Sequence, residues 1–308
     1  MNSLSIFSCP VCKGDLNNYF CKSCDTSFEG REGIPCFLSE KMYSTEKEYI
    51  EAMKVVNFWG HGWIKRLEDE EHAYVNQSSK EELLSYANGE LDWCRKNGSL
   101  MSRLPFDNMK NSISLNIGCG AGTEALEIAL GGGSCIAMDI TNPAAKVADS
   151  LLKKLGQGEG IQGDARFLPF KDNSVDYIYS SGVLHHSDDV PRSIAEIYRV
   201  LKPGGYAFIM LYATWSIMFM QQKMMMTKGE KSWETGGRKN PCTTTYSIAE
   251  CQKLFSKFNI ELIEKRGGSF KHFAKIGKHL PTKFDFMVDG WLGCNINIVA
   301  KKSIPIVH

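Results

Sequence analysis

Within a short stretch the chain changes character twice. Ile113 to Ile117 is apolar and rich in β-branched side chains; it runs straight into Gly118-Cys-Gly-Ala-Gly122, and Thr123 to Leu130 then has helical character. Strand, glycine turn and helix in that order mark a nucleotide-binding α/β unit. Glycines let the backbone approach a ligand without a Cβ, and the N–H groups at the helix start favour polar or anionic groups. A dinucleotide fingerprint, G-x-G-x-x-G, would put glycines at 118, 120 and 123; position 123 is Thr, so the spacing is G-x-G-x-G instead. With 308 residues and 43% hydrophobic content, the chain can bury one full-sized core and still supply a small accessory module, which excludes a disordered or fibrous class.

The elements that follow extend the same pattern. A second strand, Ser134 to Met138, ends in Asp139, where a carboxylate at the strand tip can accept both hydroxyls of a ribose. A third strand leads into Ile161-Gln-Gly-Asp-Ala-Arg-Phe-Leu-Pro-Phe170, with Asp164 set to accept from an adenine amino group. Each aspartate also has a local reading: Asp164 can cap the turn after it, and Asp139 the next helix. Val175 to Tyr179 is a fourth strand, followed by Ser180-Ser-Gly-Val-Leu-His-His186, a helix over Asp188–Leu201, the turn Lys202-Pro-Gly-Gly205 and a strand over Tyr206–Tyr212. A helix over Ser247–Phe258 and strands Ile260–Lys265 and Asn295–Lys301 complete seven strands. His185 and His186 fall at the carboxyl edge of the sheet, where open α/β sheets bind ligands. Either is a candidate to take a proton from a nucleophile; the alternative is that both pack and define a pocket wall.

From Leu115 to Leu211 the chain resembles the UbiE/COQ5-like class I methyltransferases. The motifs NIGCGAGT, GDARFLPF, VDYIYSSGVLHH and RVLKPGG occur in order and near the expected spacing. The resemblance implies an S-adenosylmethionine (SAM) cofactor, with Gly118, Gly120 and Gly122 holding the methionine part, Asp139 the ribose, and Asp164 with Ala165 the adenine. Cys119, Ile140 and Ser180 stand beside these positions and join the candidate cofactor set. Asn116 departs from the family, which usually has Asp or Glu there. Asn can orient the glycine loop but supplies no charge for the cofactor's ammonium, so backbone carbonyls are expected to carry more of that contact.

Cys9-Pro-Val-Cys12 and Cys21-Lys-Ser-Cys24 are two C-x-x-C turns separated by eight residues. Each turn directs two sulfurs to one side, and together they can close a tetrahedral thiolate site of the kind zinc prefers. Two pairs at this spacing are more than a redox dithiol needs. Lys13 and Lys22 are placed to offset part of the charge of such a centre. Cys9 to Leu38 resembles the Trm112-like zinc ribbons, with their CPxC, CxxC and GIPxF elements in order; such ribbons act alone as methyltransferase activators or are fused to methyltransferases. Cys36, a fifth cysteine nearby, is expected to be simply buried. About 40 residues hold too little core to fold alone, so metal would supply much of the stability.

The expected class is therefore α/β: a Rossmann-like, seven-stranded class I methyltransferase sheet with a small N-terminal zinc ribbon and a helical lid insertion. Residues 1–40 form the ribbon, 41–110 a helical linker or cap, and 111–308 the methyltransferase domain, with insertions at 213–246 and 267–292. Most aromatics of the linker are expected to pack as core. Asn57-Phe-Trp-Gly-His-Gly-Trp63 is the exception: its two glycines suit a lid over the site better than a surface helix. Trp215, Met218, Met220, Met224, Met225, Met226 and Trp233 give the first insertion the adaptable apolar character of a cover over a partly hydrophobic substrate. Arg238 and Lys239 are candidates for an acidic substrate group.

Net charge is +1 overall, but from Trp215 to His308 there are fifteen Lys/Arg against seven Asp/Glu. The ribbon is slightly acidic, with three Lys/Arg against five Asp/Glu over residues 1–40. The start carries no basic region of a secretory signal and the longest apolar run is too short for a membrane span, so a cytoplasmic protein is expected. The expected function is methyl transfer by in-line displacement to a small molecule of natural-product, lipid, quinone or sugar type. The alternative is an rRNA or tRNA base methyltransferase that uses the ribbon for RNA recognition. A non-catalytic SAM-binding activator or regulatory protein is a third reading, disfavoured by the intact glycine loop and both aspartates.

Overall fold

The computed structural model describes residues 3–30, 33–67, 77–216, 234–235, 238–239, 241–267 and 292–304. Two short strands, β1 (Phe20–Cys21) and β2 (Thr26–Ser27), pair antiparallel in the N-terminal ribbon. Two helices follow, α1 (Glu46–Leu67) and α2 (Lys80–Asn97). The sheet then begins with β3 (Ile113–Ile117), helix α3 (Thr123–Ala129), β4 (Ser134–Asp139), helix α4 (Asn142–Leu155) and β5 (Gly158–Gln162). It continues through β6 (Val175–Ser181), helix α5 (Val190–Val200) and β7 (Leu201–Tyr212). A two-residue hairpin, β8 (Glu234–Thr235) with β9 (Arg238–Lys239), precedes helix α6 (Ile248–Leu254), β10 (Asn259–Arg266) and β11 (Asn295–Lys301).

Seven strands form one sheet in the order β10-β11-β7-β6-β3-β4-β5. The five from β7 to β5 run parallel, and β11 and β10 close the far edge antiparallel. The chain winds outward from β3 through β4 and β5, then returns to β3's other side with β6 and β7. The reversal opens a crevice at the carboxyl end of β3, the position at which open α/β sheets bind ligands. The parallel strands read as near-continuous apolar runs, Cys135 to Met138 for example, because helices cover both faces.

Helix boundaries follow local chemistry. Ser79 and Glu82 form a capping box at the start of α2, and Gly98 ends it in the left-handed conformation. Leu83, Ala87, Leu91 and Cys94 recur at helical spacing and are its buried face, packed in one core with Ala125 and Leu126 of α3. The 57–63 segment differs from expectation: Gly60 and Gly62 sit inside α1, which continues to Leu67. Any Cβ added at Gly60 would meet open space, so the glycine there serves no tight approach. The turn at Lys202–Gly205 is likewise taken into a long β7, with Gly204 at φ 83°.

The ribbon has no separate core. Phe7, Phe28 and Phe37 are buried in the cluster that also holds Leu115, Ile161 and Phe170, and the Phe7 ring lies 5.1 Å from Phe37 and 5.3 Å from Phe170. Each such side chain contributes about 2–3 kcal/mol of hydrophobic stabilisation. Backbone pairing reinforces this. Gln162 donates to Pro35 O at 2.9 Å and Phe37 to Gln162 O at 2.8 Å, so the ribbon's exit extends the sheet beyond β5. Ser8 donates to Pro169 O and Lys171 to Ile6 O, so the 163–170 loop is held at both ends by ribbon backbone. Among the described residues no helix is long and apolar enough to cross a membrane.

Candidate active site

A cavity of about 440 Å³ opens at the carboxyl ends of β3 and β4. On the β3–β5 side its wall is the glycine loop, Glu124, Asp139, Ile140, Asp164, Ala165 and Arg166; on the β6–β7 side it is Val183, Leu184, His186 and Tyr212; α1 adds Val55, Trp59 and Trp63. The glycines are required by what surrounds them. Gly118 has φ 75°, and a Cβ there would lie 2.2 Å from a Val183 methyl. Gly120 has φ 51°, and a Cβ there would lie 2.6 Å from the Trp63 ring. Trp63 thus packs directly on the loop, so α1 covers the site as a helix where the sequence suggested a glycine-rich lid.

Asp139 is buried and both oxygens are in use. Oδ1 accepts from Thr141 N at 2.9 Å and Thr141 Oγ1 at 2.8 Å, and Oδ2 accepts from Gly120 N at 3.1 Å. Burial raises its pKa against these hydrogen bonds. Asp139 therefore ties the start of α4 to the glycine loop, with capacity left on Oδ2 for a ligand hydroxyl.

Asp164 sits in a denser network. Its Oδ1 accepts from Arg166 N and Nε, and Oδ2 from Arg166 Nη2 at 2.7 Å and from the Tyr43 hydroxyl at 3.1 Å. Arg166 is only 4% exposed, and its other arm reaches Asp188. A carboxylate offers about four acceptor positions, and these four donors take them. Burial and the Asp164 charge push the Tyr43 hydroxyl well above the usual tyrosine range. Neither Tyr43 nor Arg166 was among the residues singled out by sequence; both are found only once the chain is folded.

The two histidines are separated by their surroundings. His186 lines the cavity, with Trp59 4.9 Å away ring to ring. Its Nδ1 lies 3.1 Å from Cys242 O and 3.0 Å from Thr243 Oγ1. A carbonyl only accepts, so Nδ1 carries the hydrogen and Nε2 is the ring's acceptor nitrogen. Burial pulls its pKa down to about 4. His185 is fully buried, stacks on Tyr212 at 3.7 Å and is not part of the cavity wall; burial and His186 drive its pKa far down. Asn116, Gly122 and Ser180 also stand behind the wall. Asn116 Nδ2 donates to Tyr179 O at 3.5 Å, Ser180 Oγ donates to Ile117 O at 3.1 Å, and Gly122, at φ 85°, abuts Ala148.

The base of the first insertion is stitched to this edge: Thr214 donates to Tyr246 O, and Thr244 to His185 O. Residues 217–233, which hold its methionines and Trp233, lie outside the described residues, as do 268–291 of the second insertion. Arg238 and Lys239 are described only as backbone of β9.

The cysteines form a second constellation. Cys9, Cys12, Cys21 and Cys24 bring their sulfurs within 4.8 Å of one another, with Cys9–Cys24 at 3.5 Å and Cys12–Cys21 at 3.4 Å. Metal–sulfur bonds of about 2.3 Å give a tetrahedron with edges of about 3.8 Å, so small adjustments admit a zinc-sized ion. Lys13, expected to offset the charge of such a centre, instead pairs with Glu196 of α5 at 2.7 Å. Cys36 is buried as expected and donates to Gln162 Oε1 at 3.1 Å.

Residues 115–209 match the methyltransferase domain family. That span holds the parallel strands β4 to β6 and most of β3 and β7. Within it the chain is 41% identical over 96 residues to the biotin biosynthesis bifunctional protein BioHC of Cellvibrio japonicus, a match covering 31% of this chain and 18% of that protein. It is 38% identical over 101 residues to the demethylmenaquinone methyltransferase of Staphylococcus carnosus, covering 32% and 42% respectively. The matches thus span less than half the length of these relatives. A chain from the complex of the Haloferax volcanii Trm112 methyltransferase activator with a candidate methyltransferase has the same fold, with a TM-score of 0.53 at 18% identity, over 74% of this chain and 97% of that one. This likeness is one of fold, the Rossmann-like, seven-stranded α/β fold expected from the strand and glycine order.

Proposed function

We propose that the chain is a SAM-dependent methyltransferase acting on a small, largely apolar molecule, with zinc held in its N-terminal ribbon. The observation that carries this reading is the cavity at the sheet's switch point, walled by the glycine loop and Asp139 on one side and by Trp59, His186 and Tyr212 on the other. The residues fit the cofactor. Gly118, Gly120, Asp139, Ile140 and Ala165 all line the cavity, and about 440 Å³ falls in the range of small-molecule sites.

In this reading the glycine loop holds the methionine part, Asp139 accepts from the ribose through Oδ2, and Ile140, Ala165 and Cys119 line the nucleoside. Asp164, its acceptor positions taken by Arg166 and Tyr43, serves to fix Arg166 and the adenine-facing loop. Bound SAM supplies a methyl already activated by its sulfonium, so the protein's task is alignment and exclusion of water. Trp59 and Trp63 close the site from α1. His186 orients the acceptor through Nε2; at a pKa of about 4 it is too weak a base to drive proton removal.

The wall also supports a small acceptor over RNA. It presents four carboxylates, Glu124, Asp139, Asp164 and Asp188, against one guanidinium, Arg166, which repels a polyanion. Incubation with methyl-labelled SAM and a metabolite extract or structured RNA tests this. Label in an organic-soluble product supports the proposal, and label confined to RNA overturns it.

A further inference from the structure

Among the carboxylates on the cavity wall, Glu124 is the one held by neither a cation nor a backbone N–H among the described residues. Asn116 is completely buried at the end of β3. Glu124, in the first turn of α3, lines the cavity beside Gly118, Gly120 and Ala121, and its carboxylate faces the side chains of Asn116, Tyr179 and Ser181. The other three carboxylates on the wall are engaged: Asp164 and Asp188 by Arg166, and Asp139 by the N–H groups of Gly120 and Thr141. No Lys or Arg among the described residues pairs with Glu124.

Three neutral hydrogen-bonding side chains leave this half-buried carboxylate without a balancing cation, which a ligand can supply. A cofactor whose amino-acid part lies along the glycine loop brings an ammonium group to that place. Resting on the SAM reading above, we propose that Glu124 is the residue that pairs with the ammonium of the bound cofactor, with Asn116, Tyr179 and Ser181 orienting its carboxylate. The acid that meets the ammonium then stands on the helix that follows the loop, and backbone carbonyls need not carry the contact.

The local electrostatics agree with a site that waits for a cation. Burial pushes the Glu124 carboxyl up to about 7, and the groups around it offer no positive charge: Tyr179 from β6, Cys119 from the loop, Glu127 from the same helix and Cys94 from α2. Pairing with an ammonium must then expel a proton near neutrality, so affinity rises with pH up to about 7 and levels above it.

The test is calorimetric titration of the full-length protein with two non-reactive probes, S-adenosylhomocysteine, which keeps the ammonium, and 5′-methylthioadenosine, which lacks the amino-acid part. Glu124→Gln should weaken S-adenosylhomocysteine about tenfold or more, flatten its pH dependence, and leave 5′-methylthioadenosine within about twofold. Adding Asn116→Asp to Glu124→Gln should recover part of the loss. Unchanged S-adenosylhomocysteine affinity in Glu124→Gln overturns the proposal, as does equal loss of both probes, which would mark Glu124 as structural. If wild-type protein binds neither probe, the SAM reading itself has failed.

Discussion

Tyr43 and Asp164 stand far apart in the sequence, yet the Tyr43 hydroxyl donates to Asp164 Oδ2 at 3.1 Å within the core. Tyr43 follows directly on the ribbon, and Asp164 stands on the cavity wall, so this bond joins the N-terminal module to the site. Asp164→Asn keeps the shape but leaves Arg166 buried with only Asp188 to balance it. It should cost about 3 kcal/mol, and Tyr43→Phe about 1.5 kcal/mol. Urea unfolding at neutral pH measures both; an unchanged midpoint for Asp164→Asn would remove the network from any structural role.

The ribbon should hold one zinc ion per chain through Cys9, Cys12, Cys21 and Cys24. Cys12→Ser, or a strong chelator, should release it and lower the thermal midpoint, since the ribbon shares its core with the sheet. Because ribbon backbone pairs with Gln162 and with Pro169 and Lys171, metal loss should also speed amide exchange across 163–170. Freshly purified protein with little zinc, and no difference on Cys12→Ser, would contradict this.

Stability should depend on pH through Glu127, which is 4% exposed and whose pKa burial and the neighbouring Glu124 raise to about 8. Unfolded, such a carboxyl ionises near 4.5. Between these values the folded state binds more protons than the unfolded state, so stability is full below about 4.5 and is lost as pH rises toward 8. Glu127→Gln should match wild type at pH 4 and exceed it at pH 9. His186 acts with the opposite sign: its lowered pKa makes the folded state lose stability as pH falls from about 6.5 toward 4. Thermal midpoints across pH 4–9 separate the two, and a wild-type advantage over Glu127→Gln at pH 9 would contradict the assignment.

Local signals made the central sheet legible. β-branched runs ending in glycine, aspartate or serine gave the strands and their order, because a strand tip that must bind a ligand leaves its polar residue at a fixed offset. Asp139 was readable for that reason. Arg166 and Tyr43 were not, since their partners depend on the ribbon folding back over the loop after β5, and no periodicity encodes that contact. Gly60 and Gly62 misled because glycine is permissive in a helix when tertiary packing of Trp59 and Trp63 outweighs a cost of about 1 kcal/mol each. Glu124 carried a weak signal, an acid two residues past the last loop glycine, which gained meaning only once Asn116 was seen buried behind it.

The most direct test of the whole reading is calorimetric titration with SAM of wild type, Asp139→Ala and Gly120→Ala. Wild type should bind one equivalent saturably and should not bind NAD, whose fingerprint glycine is replaced by Thr123. Asp139→Ala should weaken SAM by roughly 1–3 kcal/mol, because ribose hydroxyls lose a buried partner, and Gly120→Ala should weaken it further by forcing Trp63 off the loop. Absence of saturable SAM binding, or equal affinity in all three proteins, would contradict a SAM site in this cavity.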